Sequence, residues 1–246
     1  MAKKLIITEK PSVAMEFAKA LSINVNRKNG YIESNEWIIT WCVGHLVTMS
    51  YPEKYDENLK FWRLDTLPFI PTEWKYEIIP AVQNQFNIVK QLLQREDVEE
   101  IYNAGDSGRE GEYIQRLVFM MAKPNPKAKM KRVWIDSQTE EEIKRGIKEA
   151  KDLSEYDSLS DAAYLRAKED YLIGINFSRL LSIIFGRRIA KQIDEEKVSI
   201  SVGRVMTCVL GMVVSREREI ANFVKTTYHK IIAVSYTHLT LPTIRL

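Results

Sequence analysis

Apolar positions along the chain change period several times, and each change marks an element. Lys4-Leu5-Ile6-Ile7-Thr8 is a short apolar run of the kind buried in a parallel sheet, and it leads into Glu9-Lys10-Pro11-Ser12. Pro11 and Ser12 are helix-start residues, and the helix predicted after them carries Val13, Phe17 and Leu21 on one face. Tyr31-Ile32-Glu33 and Trp37 to Val43 predict two strands joined by a polar turn, ending in Gly44-His45. Residues 81–94 have helical spacing (Val82, Phe86, Val89, Leu93), and Val98 to Tyr102 predicts another buried strand. Asn103 to Glu112 then forms a tight strand-to-helix turn with three glycines, followed by a helix with Tyr113, Leu117 and Met120/Met121 on one face. Beyond a Pro/Lys-rich connection, Lys123 to Lys131, the run Arg132-Val133-Trp134-Ile135 predicts a strand. Thr139 with Glu142 predicts a capping box for a helix carrying Ile143, Ile147 and Ala150.

Strands alternating with helices over residues 1–150 predict an α/β fold, a mainly parallel sheet flanked by helices. From about 155 to 222 the strand signal disappears and an all-α domain is expected. The expected boundaries are 1–152 for the α/β domain, 153–222 for a partial helical domain, and 223–246 for the start of a next domain with an atypical tail. Thr227 to Val234 reads as a strand, whereas the Thr/Leu-rich stretch Ser235 to Leu246 is set aside as foreign to the fold.

Composition changes this picture little. A chain of 246 residues with 45% apolar and 28% charged side chains is that of a globular protein with real cores. A net charge of +3 makes no general case for nucleic acid, so any basic surface must be local. Cys42 and Cys208 form no metal-binding spacing or disulfide framework, and a reducing cytoplasm is the expectation. No secretory leader and no apolar run near the ~20 residues needed to span a bilayer is present, so no membrane is expected.

The candidate chemistry lies at the turns. Carboxyl ends of strands are where ligands bind in open α/β sheets. Glu9 and Asp106 would share that edge if their strands lie in one parallel sheet. Asp106, Glu110 and Glu112 crowd one turn, and carboxylates face a phosphodiester productively when Mg²⁺ lies between them. A local alternative is a capping box from Ser107 to Glu110, with Glu9 serving the helix dipole. Residues 51–75 interleave aromatics with Arg and Lys, Trp62 among them, which suits base stacking on single strands or simple packing under a loop. Arg166, Asp170 and Gly174 share one helix face; an intrahelical ion pair accounts for the first two, and a close backbone approach would account for the glycine. Arg179, Arg187, Arg188 and Lys191 make a basic run, and Ser201-Val202-Gly203-Arg204 opens a helix in a way that suits a phosphodiester.

Five segments in order resemble the type IA DNA topoisomerases, the topoisomerase III branch above all. They are Thr8-Glu9-Lys10-Pro11-Ser12, Thr40 to Leu46, Gly105-Asp106-x-x-Arg109-Glu110-Gly111, Gly174-Ile175-Asn176-x-x-Arg179 and Ser201-Val202-Gly203-Arg204-Val205. The resemblance covers roughly residues 3–233 and implies a Toprim fold followed by a helical DNA-binding domain. It implies ATP-independent, Mg²⁺-dependent breakage, passage and rejoining of single-stranded DNA through a 5′-phosphotyrosine. Glu9, Asp106 and Glu110 take the catalytic and metal roles. Trp62, Arg166, Asp170, Tyr171, Arg179, Ser201, Val202, Gly203, Arg204, Val205 and Met206 are placed along the DNA. A monomer of the cytoplasm, associated with nucleoid or plasmid and using no nucleotide cofactor, is expected.

Three departures stand against the family pattern. Gly108 replaces the middle acid of an Asp-x-Asp-x-Glu set, and Met206-Thr207-Cys208 stands where the family reads Gln-Thr-Pro. No Tyr-Pro-Arg-Ser segment is present, so the chain as it stands is expected not to cut DNA. The competing readings are a Toprim-type primase or nuclease using the same acids, and a non-enzymatic binding module for single-stranded DNA.

Overall fold

The first apolar run becomes the middle of a seven-stranded sheet. In the computed structural model, which describes residues 2–23 and 27–231, β1 (Lys3–Thr8) pairs in parallel with β4 (Trp37–Trp41) and with β7 (Val98–Ala104). β7 pairs in parallel with β8 (Lys129–Arg132). Antiparallel strands β2 (Arg27–Lys28), β3 (Tyr31–Glu33) and β9 (Lys151–Asp152) finish the edges, giving the order β2-β3-β4-β1-β7-β8-β9. A separate two-stranded sheet joins β5 (Val47–Met49) to β6 (Tyr76–Ile78).

Both faces of the sheet are covered, which is why β1 has no polar alternation. Leu5 and Ile7 pack in one core with Phe86, Val89 and Leu93 of α2 (Gln83–Leu93) and with Ile114 and Leu117 of α3 (Arg109–Ala122). Ile6, between them in sequence, faces the other core with Val13 and Phe17 of α1 (Pro11–Ala20) and Ile143 of α4 (Glu140–Lys148). The expected α/β sheet with helices on both sides is therefore what the chain forms.

Two expectations shift. The strand expected over 132–135 lies at Lys129–Arg132, because Glu100 to Asn103 of β7 take their partners from these residues. Val133 still donates its N–H to the Asn103 carbonyl of β7 at 2.8 Å, and the chain then leaves the sheet, with Ile135 donating its N–H to the Ser107 hydroxyl rather than to a strand. The close backbone approach expected at Gly174 is tighter elsewhere. A Cβ on Gly174 would meet the Val202 carbonyl at an ordinary 3.6 Å, whereas one on Gly186 would stand 2.7 Å from the Val198 carbonyl. Both glycines lie on α5 (Asp157–Gln192), and the 198–202 segment is strung along that helix by Ser178 and Ser182. Those hydroxyls accept the N–H groups of Val202 and Ile200, each at 2.8 Å.

Met1–Arg204 forms one compact unit, and Val205–Leu246 is a second, described by itself. The latter contains nearly all of α6 (Arg204–Ala221). Residues 227–231 form no strand, and the rest of the strand expected over 227–234 lies outside the described residues, as does the tail 235–246. Among the described residues no helix is long and apolar enough to cross a membrane.

The turn after β7 is packed backbone to backbone: a Cβ on Gly111 would stand 2.2 Å from the Asp106 carbonyl oxygen, whereas one on Gly108 would meet nothing within 4 Å. Gly111→Ala is therefore expected to cost about 3 kcal/mol in thermal or urea unfolding. Gly108→Ala should change stability by less than about 0.5 kcal/mol.

Candidate active site

The carboxyl edge of the parallel strands gathers the chemistry. Glu9 follows β1 directly and is buried, while Asp106 is the second residue after β7 and its side chain is 51% exposed. Thr8 donates its hydroxyl to the Lys10 carbonyl at 3.0 Å, and Cys42 beyond β4 donates its N–H to the Thr8 carbonyl at 2.8 Å. These bonds fix the backbone on which Glu9 stands. Lys10 Nζ lies 3.2 Å from Glu9 Oε1 and 3.4 Å from Asp106 Oδ2, so one ammonium joins acids from two adjacent strands. The Lys10 pKa is raised by Glu9 first and Asp106 second. Glu110 stands apart: its side chain is 73% exposed and meets His45 Nε2 at 2.7 Å.

The three acids of the turn are thus divided. Asp106 faces outward beside Lys10, Glu110 faces His45, and Glu112 turns inward and is fully buried. Ser107 forms no capping box. Its hydroxyl donates to the Ile135 carbonyl at 2.7 Å, and Gly108 is the N-cap of α3, which has no side-chain cap. The capping box at the next helix does form on one side, with Thr139 accepting the Glu142 N–H.

Sequence reasoning missed the residue that organises this turn, Arg132. Its guanidinium has no exposed surface and donates to Glu112 Oε2 at 2.8 Å, to the Gly105 carbonyl at 2.8 Å and to the Asp106 carbonyl at 2.8 Å. Glu112 also accepts from Arg116 Nε at 2.7 Å. Asn103 accepts the Gly105 N–H at 3.0 Å, which closes the turn from the strand side. Burial pulls the Arg132 pKa down and the Glu112 carboxylate opposes that pull.

A hard divalent cation prefers oxygen ligands, and Mg²⁺ commonly takes one or two carboxylates with phosphate oxygens and waters. Glu9 and Asp106 fit as such a pair. Glu9 Oε2 is buried with no hydrogen-bond partner among the described residues, which leaves a carboxylate oxygen with unused capacity. No three His, Cys, Asp or Glu side chains among the described residues form a ready ligand group, and Glu110 is paired with His45.

Residues expected along DNA take several settings. Trp62 is exposed, with the Arg179 guanidinium 5.6 Å from its ring centre. Arg179 itself is buried and donates to the Leu59 carbonyl at 2.8 Å, so it braces the aromatic loop from within. Tyr171 donates its hydroxyl to the Ser50 carbonyl at 2.7 Å. Arg204 donates to Asp170 Oδ1 at 2.6 Å and to Glu169 Oε2 at 2.8 Å. The expected Arg166–Asp170 pair is longer, at 3.9 Å, and Arg204 is what chiefly lowers the Asp170 pKa. Ser201 is exposed and Gly203 partly so; Val205 and Met206 lie in the first turn of α6, in the second unit. An open cavity of about 990 Å³ borders Trp62, Arg187, Lys197 and Ser199.

The Toprim domain family model matches residues 4–137, more than half of the chain. The chain belongs to the Toprim family. A DNA topoisomerase family model matches residues 154–240, later in the chain. The chain is 41% identical over 229 residues to DNA topoisomerase 3 of Staphylococcus aureus (strain MRSA252), covering 93% of this chain and 30% of that protein. It is 40% identical over 231 residues to DNA topoisomerase 3 of Shouchella clausii (strain KSM-K16), covering 94% and 30%. The chain thus spans about a third of the length of these relatives. The full-length topoisomerase I structure from Thermotoga maritima superposes with a TM-score of 0.58 at 22% identity, covering 89% of this chain and 31% of that one, a likeness of fold. The resemblance to type IA DNA topoisomerases of the topoisomerase III branch, read from the motifs, is borne out.

Within the Toprim part, loss of Arg132 would leave buried Glu112 with Arg116 as its remaining partner and the Gly105 and Asp106 carbonyls without their shared donor. Arg132→Met is expected to cost about 3–5 kcal/mol in urea unfolding. Cys42 gives a second check. Burial first, and the nearby Glu9 second, push its thiol up to about 12. Its folded pKa thus lies above the unfolded value of about 8.5, so the stability it contributes is full below about pH 8.5 and is lost as pH rises towards 12. A thiol reagent at pH 8 should titrate exposed Cys208 and spare Cys42 until denaturant is added.

Proposed function

We propose that this chain is the Toprim and first helical part of a type IA DNA topoisomerase that breaks, passes and rejoins single-stranded DNA without ATP. The observation that carries this reading is the meeting of Glu9 and Asp106, from the ends of two adjacent parallel strands, at one cationic group. The match of the following residues to a DNA topoisomerase family model supports it. The proposed division keeps the Toprim part within 1–152 and the helical part within 153–222.

In the proposed reaction a tyrosine of the longer protein attacks a phosphodiester, giving a 5′-phosphotyrosyl bond and a free 3′-hydroxyl. The covalent bond conserves the energy needed for rejoining. Glu9, buried and with one oxygen unpartnered, manages the proton at the leaving and returning 3′-oxygen. Bound Mg²⁺, held by Glu9 and Asp106, would supply positive charge at the DNA phosphate, and Glu110 is the further candidate ligand. Arg204 meets the DNA backbone, while Arg179 sets the loop that carries Trp62. Arg166, Asp170, Tyr171, Ser201, Val202 and Gly203 are further proposed DNA contacts, and Val205 and Met206, in the second unit, are proposed separately from the family resemblance. The protein acts as a monomer in the cytoplasm, without a nucleotide cofactor.

Binding to a fluorescent oligonucleotide over a salt series tests the reading. The chain should prefer a single strand to its duplex, with log affinity falling against log salt by about 0.7 per phosphate contacted. Arg204→Ala should weaken binding and reduce that slope by about 0.7. Equal duplex binding, or an unchanged slope in Arg204→Ala, contradicts this assignment. Metal-dependent nicking by the chain with no covalent adduct would point instead to a Toprim-type nuclease.

A further inference from the structure

We infer that the Lys10 ammonium is the resident cation of the Glu9–Asp106 site and that a divalent ion must displace it to enter. Lys10 thereby sets how much free metal the site needs. The inference rests on the two-carboxylate metal reading above.

The geometry is that of a counter-ion and not of a passing surface contact. The ammonium touches both acids, 3.2 Å from Glu9 and 3.4 Å from Asp106, and these come from neighbouring strands. Two carboxylates brought to one edge repel each other, most strongly where one is buried, unless a cation lies between them. Gly108 adds no acid on this side of the turn, so the pair carries two negative charges against one ammonium. That arrangement is tolerable without metal but unfinished, since Glu9 Oε2 keeps no partner among the described residues.

The exchange requires little rearrangement of the protein. Lys10 has extended backbone geometry at the N-cap of α1, and its side chain is 53% exposed. Its flexible four-carbon stem can swing the ammonium into solvent. The acids are held independently of it. Arg132 grips the carbonyls of Gly105 and Asp106, and the Cys42 N–H grips the Thr8 carbonyl just before Glu9. The site's frame therefore stays when the ammonium leaves. An ammonium and a divalent ion could not share the pair, because both would draw on the same carboxylate charge at short range.

Binding of Mn²⁺ to this chain, followed by electron paramagnetic resonance of the free ion, tests the inference without any assay of activity. Lys10→Gln should bind Mn²⁺ at least about fivefold more tightly than the parent chain. Lys10→Arg, which keeps the charge, should bind no more tightly than the parent. Lys19→Gln, at the far end of α1, should stay within about twofold and so exclude a general effect of net charge. Asp106→Asn should weaken binding more than about tenfold. If the parent binds and Asp106→Asn does not, while Lys10→Gln matches or falls below the parent, the metal site stands and the displacement is overturned. If neither the parent nor Lys10→Gln binds Mn²⁺, the metal reading fails and takes this inference with it.

Discussion

The site depends on one buried ion pair that touches no substrate. Arg132 and Glu112 meet at 2.8 Å with no exposed surface, and the guanidinium's remaining donors reach the carbonyls of Gly105, Asp106 and Val133. A tight strand-to-helix turn leaves carbonyls that no helix or strand can satisfy, and leaving them buried without donors would cost free energy comparable to lost hydrogen bonds. Arginine answers this better than lysine because its planar fork presents five fixed donors. The charge it brings into the interior then needs a carboxylate, which Glu112 supplies. Removing Glu112 leaves the buried guanidinium without its carboxylate, and removing Arg132 leaves Glu112 to Arg116 alone and takes a donor from the carbonyls of the turn, so the turn and the pair hold each other in place.

Most of the sheet was legible from hydrophobic pattern, and the failures have identifiable causes. Continuous apolar runs at 4–8 and 98–102 had to be covered on both faces, and they became the two central strands, β1 and β7. The last parallel strand was placed late because Val133 and Ile135 look more strand-like than Lys129 to Arg132. Val133 and Ile135 pack with Ile143 of α4 in the second core, so apolar burial there reports helix packing more than strand pairing. Glu9 and Asp106 could be named because both stand at the carboxyl ends of strands, and Glu110 because it crowds the same turn and matches the family motif. Arg132 could not, since the carbonyls it serves lie 26 to 27 residues earlier in sequence and no local spacing relates them. Ser107 was open to a capping box by its spacing to Glu110, yet the long-range contact with Ile135 takes its hydroxyl.

A common feature links the exposed charges. Lys10 sits on Glu9 and Asp106, His45 on Glu110, and Arg204 on Asp170 and Glu169. Each charged group that the functional reading assigns to a metal or to DNA already has a protein partner of fitting chemistry. Such pairs at partly exposed positions are individually weak, because water and salt screen them and ordering both side chains opposes them. Weakness is useful here. A partner worth little in free energy can hold a charged side chain in place and still yield to a dianion, a phosphate or a metal that offers more charge at the same distance.

The contrast between these pairs and the buried one follows from dielectric alone. The same two charges interact several-fold more strongly in a protein interior than at its surface, so exchange is easy at Lys10 and prohibitive at Arg132. The turn after β7 combines both regimes within a few residues. Glu112 faces inward to the pair that cannot open, and Asp106 faces outward to the ammonium that can. A loop built from outward pairs alone would lose its shape whenever a ligand replaced one of them. A loop built only from buried pairs would have no charge to offer. Gly111 makes the combination possible, since its missing side chain lets the helix start press against Asp106 and turn successive acids to opposite sides of one backbone.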